Sequence, residues 1–165
     1  MPIDDAAPTL ERVTYADPDV VTLTEEVQAY YRAIYGGPDD SPLTDAELTP
    51  PAGLFLLARL DGEPVGMAGW RRIAPVDALG GERPAEIRRM YTRASARHRG
   101  IARALLAELE STAAAYGADV MVLSTGGIQT DAVAFYRACG YTDVPPFGHW
   151  AASPGIVCLA RRLPA

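Results

Sequence analysis

Three basic residues and a glycine, Arg97-His98-Arg99-Gly100, stand immediately before an apolar run that opens at Ile101. Cations are disfavoured at the positive N-terminal end of a helix dipole, and glycine is a poor helix former. The arrangement makes chemical sense if something anionic binds there. The first N–H groups of a helix have no partner within it. Gly100 lets a ligand approach the backbone, and Ala102 keeps the next position nearly as open. Backbone amides from Arg97 through Ile101 and Ala102 to Arg103, a helix dipole and the nearby guanidiniums form a phosphate cradle. Two familiar phosphate loops do not fit. A Walker loop needs a Lys beside Ser or Thr, and all fifteen Lys or Arg positions here are Arg. The dinucleotide fingerprint needs three glycines after a first strand, and this loop has one.

Other residues suit proton transfer. Glu86 is the sole acid in "AEIRRMYT", and strand alternation sets Glu86, Arg88 and Met90 on one face, with Ile87, Arg89 and Tyr91 on the other. A carboxylate beside an emerging apolar cleft is tuned towards base chemistry. His149, in "PPFGHW", is a second candidate base. Trp70, Tyr31, Tyr35 and Trp150 are candidates to line an acceptor site, although packing is the commoner role for each. Two histidines without clustered carboxylates give no metal site. Cys139 and Cys158 lie in apolar settings without a CxxC spacing and read as small buried hydrophobes.

The elements that must hold these groups follow from periodicity. Thr9 to Ala16 alternates as a strand, and Asp17 and Pro18 open a helix whose apolar stripe is Val20, Leu23, Val27, Tyr30, Tyr31 and Ile34. Gly36 to Pro51 is a long loop with a short helix at Thr44 to Leu48. Leu54–Leu60 and Glu63–Ile73 form a hairpin about Asp61-Gly62, and Ala85–Thr92 is the next strand. A helix runs from Ile101 to Tyr116. Asp119–Thr125 is a continuous apolar strand, as for burial on both faces. "DAVAFYRACGY" is a short helix with Ile128, Ala132, Phe135 and Cys139 on one face, and Gly155–Leu163 is a last strand. Hairpins followed by a helical crossover give an α/β (α+β) domain with a mixed central sheet and helices on both faces. The chain of 165 residues, 48% hydrophobic and 22% charged, is read as one domain spanning 1–165 with a core over about 9–163. A net charge of −6 argues against a nucleic-acid partner and mildly favours a cationic substrate. The acidic N-terminus is unlike a signal peptide, and no run of about 20 apolar residues suggests a membrane span; a cytoplasmic protein is expected.

"RHRGIA" (Arg97, Gly100, Ala102) matches Q/R-x-x-G-x-G/A, the signature of the GNAT family of acyl-CoA-dependent N-acetyltransferases, which this chain resembles. The resemblance extends to "AEIRRMYT" as the family's central strand. It also covers "QTDAVAFYRACGY", where Ala132, Phe135, Tyr136, Gly140 and Tyr141 match a second motif and Gln129 replaces the usual Asn. It implies acetyl-CoA as co-substrate, with its pyrophosphate on Arg97–Ala102 and Arg103 just inside the helix. It implies main-chain pairing of the pantetheine arm with Met90, Tyr91 and Thr92, and a contact from Gln129. Tyr136 is then the acid that protonates the sulfur, and Glu86 the base, directly or through water. The acceptor enters past the Gly36–Pro51 and Pro145–Ser153 loops; a small-molecule amine is expected, and a homodimer is compatible. Two alternatives stay open: a catalytically silent CoA-binding regulatory module, and a protein lysine or N-terminal acetyltransferase.

Overall fold

Residues 7–164 are described by a computed structural model; the first six residues, and with them the opening of the acidic N-terminus, lie outside the described part. The elements are β1 (Thr9–Arg12), α1 (Pro18–Tyr35), β2 (Gly53–Leu60), β3 (Glu63–Arg72), β4 (Pro84–Thr92), α2 (Ile101–Ala115), β5 (Val120–Gly126), α3 (Thr130–Ala138), β6 (Thr142–Asp143) and β7 (Ile156–Arg162), with short 3-10 turns at Ala46–Leu48 and Ala94–Ala96. All strands join one sheet in the order β1-β2-β3-β4-β5-β7-β6. Every neighbouring pair is antiparallel except β4 and β5, which α2 connects as a crossover.

Local chemistry accounts for most boundaries. The Asp17 carboxylate accepts the Asp19 N–H at 2.9 Å and Pro18 occupies the first turn, so α1 starts where a cap and a preset φ coincide. β1 ends at Arg12 rather than continuing to Ala16. The Val13 N–H still reaches Phe55 O at 3.1 Å, but the chain then turns, with the Asp17 N–H on Thr14 O, to present that cap. Asp61 and Gly62 both take positive φ, as a tight hairpin between right-twisted strands requires.

Helices cover both sheet faces. On one, Val20, Leu23 and Val27 of α1 pack on Phe55, Leu57 and Met67. On the other, Ile101, Leu105 and Leu109 of α2 pack on Leu54, Trp70 and Ile87, and α3 adds Tyr136 to the same cluster. Trp70 is fully buried there, its indole N–H donating to Thr112 Oγ1 at 3.0 Å, so it is a core residue and not part of any acceptor site. The expected face of α3 is also corrected. Val133 and Tyr136 are its buried positions, while Ile128 lies before the helix and is 63% exposed. α3 is only nine residues long, and it buries one i, i+3 pair rather than a full stripe.

Alternation fails in β4. Arg89 adopts φ +57°, and the pairing with β3 shifts between Met67↔Tyr91 and Gly69↔Arg88. This is a β-bulge. Tyr91 packs in the α1-side cluster and Met90 in the α2-side cluster. Met90 therefore does not share a face with Glu86. Arg88 and Arg89 instead turn to the same side, towards Asp39 and Ser41.

Candidate active site

The bulge and the end of one ladder create the site. β4 and β5 pair only from Pro84↔Val120 to Glu86↔Val122, although β4 runs on to Thr92 and β5 to Gly126. Beyond Glu86 the two strands part, and the facing main-chain edge of β4 has no strand partner among the described residues. A cavity of about 960 Å³ occupies the gap. It reaches from Arg97–Arg103 at one end, past Met90, Tyr91 and Thr92, to Glu86, Arg88 and the loop Phe147–Trp150 at the other. The Oγ1 atom of Thr92 is buried at this edge with no hydrogen-bond partner among the described residues.

At the first end, α2 begins at Ile101 without a side-chain cap and with no acidic residue in its first turn. Its first internal bond is Ala104 N–H to Gly100 O at 3.0 Å, which leaves the N–H groups of Ile101, Ala102 and Arg103 outside the helical ladder. Gly100 has φ +78°, and a Cβ added there would meet nothing within 4 Å. His98 also has a positive φ, at 62°. Left-handed residues alternating with ordinary ones turn successive N–H groups inwards, the geometry of an anion-binding nest. Arg97, His98 and Arg99 are exposed around it.

At the middle of the cavity, Tyr136 is 5% exposed. Burial pushes its phenol well above the ordinary value, and neighbouring Tyr31 adds to the shift. A phenol held so firmly protonated can donate a proton but cannot serve as a resting base. Tyr31, from α1 on the opposite sheet face, is itself pushed up to about 12 by burial and by Asp39.

At the far end lies an ionic network. Glu86 is 8% exposed, and its Oε1 accepts Arg71 Nε at 2.9 Å and lies 3.6 Å from Arg88 Nη1. Its surroundings are therefore guanidiniums rather than the apolar cleft expected from sequence. Arg71 also pairs with Glu47, Arg89 with Asp39, and Arg88 donates to Ser41 Oγ. Burial alone would raise the Asp39 carboxyl, but bonds from Ser41 and the charge of Arg89 outweigh it and hold the group below its ordinary value. Burial depresses Arg88, opposed by Glu86.

The structure brings Arg97, His98 and Gly100–Arg103 of the cradle, Met90–Thr92, Glu86, Tyr136, Gln129 and His149 to one cavity, whereas Arg99 does not line it. Gln129 Nε2 donates to the Tyr35 hydroxyl at 2.9 Å, joining the end of α1 to the start of α3. His149 Nε2 lies 3.2 Å from Asp40 Oδ1, so the two long loops meet across the acceptor end. Tyr31 and Trp150 line the cavity; Phe135 does so while also packing on the core. Sequence reasoning missed Arg71, Asp39 and Ser41. Their only sequence signal was position, in a strand next to β4 and in the loop after α1, because strand pairing and loop packing assemble the network.

A model of the acetyltransferase (GNAT) family matches residues 20–141. An IAA acetyltransferase of Azospirillum brasilense is 33% identical over 155 residues, covering 94% of this chain and 97% of that protein. The chain belongs to the acetyltransferase (GNAT) family. Solved structures share the fold. A GNAT acetyltransferase of Staphylococcus aureus matches with a TM-score of 0.71 at 18% identity, over 94% of this chain and 100% of the other. One from Elizabethkingia anophelis, with acetyl-CoA bound, matches with a TM-score of 0.65 at 18% identity, over 94% and 98%.

Proposed function

We propose that the protein transfers the acetyl group of acetyl-CoA to the amine of a small molecule by direct attack. The observation that carries this reading is the continuity of one cavity from uncapped helical N–H groups, along an unpaired strand edge, to a buried protonated phenol and a carboxylate. The fit with acetyl-CoA is chemical. The Arg97–Arg103 cradle suits a pyrophosphate, and the free β4 edge at Met90, Tyr91 and Thr92 suits the amides of a pantetheine arm. Gln129 borders the same gap and adds a polar contact. No metal enters this chemistry.

In the transfer step, Glu86 takes the proton shed by the amine, directly or by way of water. The new C–N bond replaces the C–S bond, and Tyr136 passes its proton to the departing sulfur. Main-chain N–H groups of β4 hold the carbonyl oxygen as charge builds on it. The link His149–Asp40 joins the two loops over the acceptor end, which favours a small molecule over a protein tail. A cytoplasmic setting fits this co-substrate, and among the described residues no helix is long and apolar enough to cross a membrane.

The test is Tyr136→Phe, followed by thiol release from acetyl-CoA across a panel of amines. Turnover is expected to fall by about 10²- to 10⁴-fold while acetyl-CoA affinity stays unchanged. Unaltered turnover removes the acid role, and binding of acetyl-CoA without turnover of any amine by the wild-type chain favours the silent regulatory module.

A further inference from the structure

The acceptor end of the cavity has a composition that selects among amines. Three guanidiniums, Arg71, Arg88 and Arg89, face three carboxylates, Glu47, Glu86 and Asp39. The network is electrically balanced, and its inner members are removed from water: the side chains of Arg88, Arg89 and Glu86 are 8%, 6% and 11% exposed. It is not closed. Arg71 spends Nε on Glu86 and Nη1 on Pro42 O and Glu47, and no described group accepts from its Nη2. Glu86 spends Oε1 on the two arginines, while Oε2 has no described donor. Oε2 faces Gly148, where a Cβ would stand 4.0 Å away, so the bare glycine keeps the space over this oxygen open. One free acceptor and one free cationic donor thus lie on neighbouring side chains of the same cavity wall.

We infer that the acceptor is an α-amino acid, its ammonium turned to Glu86 Oε2 and its carboxylate to the free Nη2 of the Arg71 guanidinium. The inference rests on the transferase reading and names its substrate class. A ligand with both charges adds no net charge to a balanced, poorly hydrated wall. A simple alkylamine brings one uncompensated cation and leaves the guanidinium donors unpaired, and a site built for a partner discriminates against molecules that lack it. Both charges of an α-amino acid lie within a few bonds, matching the adjacency of Glu86 and Arg71. Tyr30, Tyr31, Phe147 and Trp150 line the same cavity and offer aromatic surface to an apolar side chain. Because the same carboxylate that holds the ammonium takes its proton, binding delivers the nucleophile to the base.

The experiment measures kcat/KM by thiol release for matched acceptors: L-phenylalanine and L-leucine against phenethylamine, isoamylamine and the two amino acid amides. The amino acids are expected to exceed their carboxylate-free partners by on the order of 10- to 100-fold. Arg71→Met is expected to erase that ratio while leaving acetyl-CoA affinity intact. The wild-type ratio stands as the test even if the variant folds poorly. Equal or better use of the carboxylate-free amines overturns the inference and leaves the transferase reading standing. Failure of every amine, with acetyl-CoA bound, overturns the transferase reading itself.

Discussion

Replacing Gly100 tests the cradle most directly. Its Cβ direction is open space, so a Cβ there meets nothing within 4 Å among the described residues. Two costs are separable. A non-glycine residue at φ +78° gives up about 1–2 kcal/mol, and Gly100→Ala isolates that term. Gly100→Asp adds a carboxylate at the unpartnered N–H groups of Ile101, Ala102 and Arg103. Negative charge at a helix start returns about 0.3–1 kcal/mol, and Asp tolerates the left-handed region better than Ala, so the fold is expected to survive. The same carboxylate occupies the cradle and repels a pyrophosphate. Two unit charges about 4 Å apart at an effective dielectric of about 20 repel by about 4 kcal/mol, which is about three powers of ten in affinity. Calorimetric titration with acetyl-CoA should show a modest loss for Gly100→Ala. For Gly100→Asp the loss should be at least about a hundredfold, with the two variants melting within a few degrees of each other. An unchanged Kd for Gly100→Asp would refute the placement of the anion.

Two further outcomes concern stability. Thr112→Val strands the buried Trp70 indole N–H and should cost about 1–3 kcal/mol, seen as a lowered Tm; an unshifted Tm would mean the bond to Thr112 contributes nothing net. Hydrogen bonds from Arg93, set against burial, hold Glu26 below its ordinary 4.5. A depressed folded value means stabilisation present above 4.5 and lost as pH falls through the folded value. Glu26→Gln should therefore be less stable than wild type at pH 7, by up to about 1 kcal/mol, with the gap closing below pH 4.5 in melts run at descending pH; a constant gap contradicts the linkage.

What was legible in the sequence was what local chemistry dictates. Asp17-Pro18, Asp61-Gly62 and the Gly100-Ile101 step each carry their own geometric instruction, and the elements appear at those points. The cavity lining was legible where a motif shares one loop or helix, as at Arg97, Gly100, Ala102 and Tyr136. It was illegible where geometry is collective. Nothing in an arginine announces a bulge, so the side on which Arg89 and Met90 emerge could not be read from alternation. Likewise, the apolar surroundings expected for Glu86 came from its own strand, whereas its actual neighbours Arg71 and Arg88 are set by the β3–β4 register and the bulge.

The short parallel ladder has a mechanical side. The sheet is two panels, β1 to β4 and β5 to β7, each a continuous antiparallel fabric, joined edge to edge only near Pro84–Glu86 and bridged by α2. A load-spreading sheet would be stitched along its whole length; this one is stitched at one hem and left open at the other. The stiffness of the open hem then belongs in part to whatever molecule lies in it, so that occupancy and the relative angle of the panels are a single degree of freedom.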